Sequence, residues 1–201
     1  MHGLVNRTIQ RFLTDTYGED CWAAIVRAAA IGFCDFEAML IYDEALTRKV
    51  LDAACKVLDK PCSEVLEDIG TYLVSHPNAE AVRRLLRFGG EDFVDFLHSL
   101  DDLPDRARLA VADLYLPQLE LREHAAERFS LTVNGRIEGF GHVMIGMLRG
   151  LADDYGALAL LDHRGGQSGL EVVDITLIEA GYAAGRAFEL GAGAKLAAGG
   201  G

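Results

Sequence analysis

The chain has 201 residues, half of them apolar and a quarter charged, with 31 acids against 19 bases and a formal charge of −12. That length holds one domain, or at most two, with a core of its own. A net acidic surface repels phosphate backbones and anionic lipid heads, which argues against nucleic acid and membrane as partners. In chain order, Leu4, Ile9, Phe12 and Leu13 recur near helical spacing, and Tyr17-Gly18 closes that segment. Asp20 to Ala30 reads as a second helix, with Gly32 just past its end. Leu46, Val50, Leu51, Ala54, Val57 and Leu58 form an apolar stripe that Lys60-Pro61 ends. The next helix opens at Cys62-Ser63-Glu64 and stops at His76-Pro77. Ala79 to Phe88 and Glu91 to Leu100 follow as helices on either side of Gly89-Gly90. The three arginines Arg83, Arg84 and Arg87 form a local basic patch, expected on the solvated face of the first of these two.

The second half of the chain changes period. Leu119 to Arg122 and Phe129 to Val133 alternate apolar and polar residues, as half-buried strands do. Gly141 to Asp154 returns to helix. Ala157 to Leu161 and Leu170 to Ile178 then predict a hairpin around Gly165-Gly166-Gln167-Ser168-Gly169. The fold class is therefore α+β: a helical half over about 1–115, then an antiparallel sheet with a helix packed on it over about 116–190. Residues 191–201 form a low-complexity Gly/Ala tail.

Catalytic signatures are missing: there is no GxSxG elbow, no GxxxxGK[ST] phosphate loop and no HExxH zinc pair. A non-enzymatic role is expected. Gly135, Gly139 and Gly141 are spaced GxxxGxG, which suits a flexible approach to a helix better than a dinucleotide fingerprint. The apolar stretch Trp22 to Cys34 is interrupted by Arg27 and is too short to span a bilayer. The opening MHGLVNRTIQRF lacks the apolar core of a signal peptide, so the expected compartment is the cytoplasm. Cys21, Cys34, Cys55 and Cys62 show neither a CxxC pair nor a disulfide-framework spacing and read as buried small hydrophobes. Cys55 and Cys62, seven apart, are placed to share a helical face. The six histidines, His2, His76, His98, His124, His142 and His163, include no pair at metal-ligand spacing.

Several segments in order carry a family likeness: MHGLVN, YGEDCW, EDFVDFLHSLDDL, Leu116-Pro117 and EGFGHVMIGMLRGLADDYG. Together they resemble the H-NOX family, the haem nitric oxide/oxygen-binding domains also called HNOB, over roughly residues 1–190. The resemblance implies a single sensor domain, haem as cofactor and nitric oxide as ligand. It also implies a separate diguanylate cyclase or histidine kinase as the regulated partner.

Two haem-anchoring features of that family are altered here. The position of its iron-ligating histidine falls on Pro104. Thirteen residues on, Pro117 matches its haem-distorting proline. A proline lacks the backbone N–H and would start a new helical turn after Asp101 or Asp102. The family's Tyr-x-Ser-x-Arg propionate clamp becomes either Thr132-x-Asn134-x-Arg136, which keeps the arginine, or Val133-x-Gly135-x-Ile137, which keeps nothing. His98 lies six residues before Pro104, about 120° off the expected face of a regular helix, whereas Leu97, Leu100 and Asp101 are better aligned. His142, beside Val143, is the other candidate iron ligand. By resemblance the pocket comprises Val5, Ile9, Leu97, Leu100, Pro117, Arg136 and Val143. Its distal wall, Val5, Ile9 and Val143, is apolar, which suits nitric oxide and gives bound oxygen no hydrogen-bond donor. Two functions therefore stand open: haem-dependent nitric oxide sensing, and a haem-free regulatory module that works through protein contacts and responds to redox state, a metal or another ligand.

Overall fold

The computed structural model describes residues 1–135, 138–167 and 169–186. Its helical half begins with α1 (Gly3–Tyr17), whose first turn is capped by His2: the imidazole Nδ1 accepts the Leu4 N–H at 3.1 Å. Then come α2 (Glu19–Ala29) and α3 (Glu44–Leu58), the latter capped by Asp43, which accepts from the Ala45 N–H at 2.9 Å. Helix α4 (Cys62–Ser75) follows directly on the Lys60-Pro61 turn, and α5 (Glu80–Arg87) follows a short 3-10 turn. The predicted helix over Glu91 to Leu100 is shorter, α6 (Phe93–His98). A separate helix α7 (Leu103–Ala110) then starts with Asp102 as its cap and Pro104 buried in its first turn. A residue without an N–H costs nothing there, so the chain breaks where the proline requires it.

The remaining elements are β1 (Gln118–Ala125), β2 (Arg128–Asn134), α8 (Phe140–Tyr155), β3 (Leu158–Gln167) and β4 (Leu170–Glu179). The four strands form one antiparallel sheet in the order β1-β2-β4-β3, so the second hairpin docks β4 against β2. The α+β architecture is as expected, and α8 lies on the inner face of the sheet.

Burial divides the interior into two apolar clusters. One joins α1 to α4 through Phe12, Leu13, Trp22, Ile25, Val50 and Val65. The other joins α6, α8 and the sheet through Phe93, Phe96, Leu97, Leu148, Phe129 and Ile175. Leu66 and Leu73 of α4 pack against both clusters, which makes α4 the seam between the halves. The seam is tight because two glycines let α4 and α8 meet backbone to backbone. A β-carbon at Gly70 would overlap the Val143 carbonyl, and one at Gly146 would overlap the Glu67 carbonyl.

Two expectations are corrected. Cys55 and Cys62 do not share one helical face: they lie on α3 and α4, and the Lys60-Pro61 reversal brings their Cα atoms to 5.3 Å, where they form a disulfide. Cys21 is half-buried and Cys34 exposed, both as free thiols. The arginines of α5 are not uniformly solvated either. Arg83 pairs with the fully buried Asp154 at 2.6 Å, and the Arg87 guanidinium stacks 3.7 Å above the Tyr155 ring. Burial pushes the Tyr155 phenol above its ordinary range.

Candidate functional site

A cavity of about 220 Å³ lies along the seam. Helix α1 contributes Val5 and Ile9, α4 contributes Leu66 and Leu73, and α8 contributes Val143, Met144 and Met147. The segment before β1 closes it with Pro117. Of the described lining side chains only those of Thr8 and Thr47 carry a nitrogen or oxygen, and both hydroxyls are engaged. Thr8 donates to the Leu4 carbonyl at 2.8 Å, and Thr47 donates to Asn6 Oδ1 at 2.7 Å. Among the described residues no ionisable side chain lines the cavity. This described lining can hold an apolar molecule by shape and dispersion and presents no fixed charge to a polar one.

The sequence-derived site residues divide accordingly. Val5, Ile9, Pro117 and Val143 converge on the cavity from three separate parts of the chain. Leu97 and Leu100 do not reach it and are fully buried in the sheet-side core. Arg136 and Ile137 lie outside the described residues. Of the other clamp positions, Val133 is buried in the core, Asn134 is exposed, and a β-carbon at Gly135 would press on Pro117.

Neither candidate histidine lines the cavity. His98 ends α6 with its side chain half in solvent, 3.5 Å from the Glu123 carboxylate and edge-on to Phe129. His142 turns outward from the first turn of α8, with Nδ1 3.3 Å from Glu67 and its ring 4.1 Å from that of His163.

Haem fits these residues poorly. Among the described residues no histidine, cysteine, tyrosine or basic side chain lines the cavity, and its volume is below the roughly 300–1,000 Å³ of sites for drug-sized ligands. The side chains there with a lone pair suited to soft iron ligation are the thioethers of Met144 and Met147.

One residue beside the cavity went unsingled in the sequence. Glu171, only 5% exposed, sits on the inner face of β4 in phase with Val173, Ile175 and Leu177. Its carboxylate accepts the backbone N–H of Gly139 at 2.8 Å and of Gly141 at 3.1 Å, and it meets His163 Nε2 at 2.8 Å. It therefore caps α8 from across the sheet, where an anion suits the helix N-terminus. Gly139 takes φ 92° as the residue preceding the helix, and no side chain of its own can cap it. A charged residue at an apolar-face position of a strand is the signal that marks Glu171 in the sequence.

With this geometry in hand, the pattern of the haem-NO-binding family, HNOB, matches residues 2–159. The chain belongs to that family. It is 24% identical over 154 residues to a soluble guanylate cyclase, gcy-31, of Caenorhabditis elegans, matching 77% of this chain and 22% of that protein. Soluble guanylate cyclase 89Da of Drosophila melanogaster is 19% identical over 160 residues, 80% of this chain and 24% of that one. The chain thus spans less than a quarter of these curated relatives. Among solved structures, an H-NOX protein from S. oneidensis in the Fe(II)NO ligation state superposes with a TM-score of 0.70 at 16% identity, covering 88% of this chain and 99% of that one. An unliganded Fe(II) H-NOX variant from K. algicida gives 0.73 at 15% identity, covering 89% and 97%. At such identities the superposition speaks for the fold. Among the described residues no helix is long and apolar enough to cross a membrane.

Proposed function

We propose that the chain is a sensor domain of the haem-NO-binding family whose apolar cavity binds a small apolar molecule without an iron–histidine bond. Occupancy of the cavity is passed to a separate signalling enzyme. The observation that carries this reading is the cavity between the two cores, lined by apolar side chains and, among the described residues, by no imidazole, thiol or phenol. Apolar cavities of about 150 Å³ take up benzene or xenon, and this one, at about 220 Å³ and apolar in its described lining, has room for either. A ligand wedged between α1, α4 and α8 acts on the helices that join the halves, so bound and free forms differ in how the halves sit on the seam. The relatives' guanylate cyclase names support a nucleotide cyclase as partner, and the family likeness extends the class to diguanylate cyclases and histidine kinases.

The second reading is haem-dependent nitric oxide sensing. It is supported by the convergence of Val5, Ile9, Pro117 and Val143 on one cavity and by the two thioethers there. Absorbance after purification with ample haem separates the two. A stoichiometric Soret band that shifts with nitric oxide and is lost in Met144→Leu or Met147→Leu establishes the haem reading and overturns the first. Absence of haem, together with a rise in Tm in benzene-saturated buffer that Val143→Phe abolishes, is the result expected.

A further inference from the structure

The disulfide between Cys55 and Cys62 has no place in a gas-sensing scheme, yet it stands at the edge of the cavity. Leu51 lies one helical turn before Cys55 on α3, and Leu66 lies one turn after Cys62 on α4; both line the cavity. They also line the adjoining surface cleft that contains the two sulfurs. The two cysteines have unequal environments. Cys55 is buried against the helical core, while Cys62 is exposed as the first residue of α4. A thiolate is the reactive form of cysteine, and of the two sulfurs the one on exposed Cys62 is the one an oxidant reaches first. Cys21 is half-buried in the same half, and burial pushes its thiol up.

We propose that Cys55 and Cys62 form a hydroperoxide-responsive dithiol pair, a modification site that sets the α3–α4 spacing at one wall of the cavity. The Cys62 thiolate attacks a hydroperoxide oxygen: an S–O bond forms, the O–O bond breaks, and the leaving alkoxide or hydroxide takes up a proton. The Cys55 thiol then attacks the sulfenic sulfur, the S–S bond forms, and the hydroxyl leaves with the thiol proton as water. Two thiols thereby lose two electrons to the peroxide, and an external dithiol reverses the step. The thiol chemistry stands by itself, whereas its effect on the cavity rests on the sensor reading given above.

The test uses the full chain and hydrogen peroxide, with free thiols alkylated under denaturant and mapped by mass spectrometry. In the dithiothreitol-reduced chain all four cysteines are alkylated. After one equivalent of peroxide, Cys55 and Cys62 are expected as one linked peptide pair with Cys21 and Cys34 still alkylated. In Cys55→Ser a sulfenic acid is expected on Cys62, trapped by dimedone. Oxidation that falls on Cys34 while Cys55 and Cys62 stay alkylatable overturns the proposal without recourse to any variant. Benzene affinity, read from Tm shifts, is expected to differ by about fivefold between the oxidised and reduced chain. A cross-link that leaves that affinity unchanged overturns the coupling. Failure of benzene to bind either form overturns the cavity reading, while the thiol map still decides the pair.

Discussion

In the helical half, buried polar side chains hydrogen-bond across elements. Thr47 donates to Asn6, and Gln10 accepts the Phe36 N–H at 3.0 Å while donating to Asp35 at 2.7 Å. In the sheet half, strand ladders satisfy the backbone, the inner faces are apolar, and two buried acids stand near the ends of α8: Glu171 at its N-terminus and Asp154 close to its C-terminus. One half is thus positioned by side-chain hydrogen bonds that fix which helix meets which, the other by a sheet whose register needs no such help. The cavity opens between these two kinds of order, where α4 and α8 must do the joining.

That contrast makes the glycine crossing the place where substitution costs most. Gly70→Ala and Gly146→Ala each force a methyl into the facing backbone, which cannot rotate away as a side chain would. Each is expected to lower unfolding stability by about 3 kcal/mol, at the upper end of overpacking costs. Urea denaturation measures it, and the double variant should cost less than the sum because both substitutions push the same two helices apart. A Gly70→Ala protein within 1 kcal/mol of wild type would mean that the halves are free to slide, and the seam would then not be a rigid coupling element.

Next comes the cross-link, which sharpens the comparison because it belongs to the helical half alone. Closing so short a loop stabilises the native state by about 2.5 kcal/mol through the unfolded chain. Cys62→Ser, at an exposed position, is expected to lose that amount relative to the oxidised wild type and almost nothing relative to the reduced wild type. Hydrogen exchange should show the added opening in α3 and α4, with β2 and β4 protected as before. Equal loss of protection in the sheet would show that the halves unfold as one unit.

The counterpart in the sheet half is Glu171→Gln. The amide keeps one acceptor oxygen where the carboxylate served two N–H groups and His163, so about 1.5 kcal/mol is expected to be lost. The loss should appear as fraying of the first turn of α8. It should also weaken benzene binding, since Phe140 and Val143 of that turn line the cavity. A stable variant with unchanged binding would show that the cap is dispensable to the site.

How much of this was legible in the sequence differs between the halves for the same reasons. Periodicity placed the helices and the alternating strands, because each buries one face, and Pro104 announced the break before α7 through its missing N–H. Pairing between distant elements was not legible. Nothing in the spacing of Cys55 and Cys62 distinguishes one helical face from two helices folded back at Pro61. Likewise, Arg83 meets its buried acid 71 residues away in sequence. Four of the cavity residues were marked by family likeness, whereas Met144 and Met147 read only as helix interior. Glu171 was the exception that local pattern alone could have exposed, being an acid in phase with Val173 and Ile175.

The smallest effect expected is one of pH, and it tests whether the helical half titrates as a unit apart from the sheet. Asp15 near the end of α1 accepts the Tyr72 hydroxyl at 2.6 Å and Asn78 Nδ2 at 2.8 Å, with His76 Nδ1 at 3.8 Å. The Tyr72 hydrogen bond, then that from Asn78, holds its carboxyl below the usual carboxylate range. A carboxylate with a depressed native pKa contributes stability above its unfolded value of about 3.9, and that contribution is lost as pH falls through the native value. Tyr72 gives the opposite limb. Burial, then the bond to Asp15, pushes its phenol up, so its contribution is present below about 10 and is lost as pH rises through the native value. Asp15→Asn should therefore lower Tm at pH 7, converge on wild type only as pH falls through the depressed native value of Asp15, and move the alkaline limb to lower pH. Near-ultraviolet circular dichroism at the Tyr72–His76 stack, whose ring centroids are 4.6 Å apart, would follow the helical half directly. If that signal and the far-ultraviolet strand signal were lost together at every pH, the two cores would be one cooperative unit, and the seam would transmit any ligand's effect across the whole molecule.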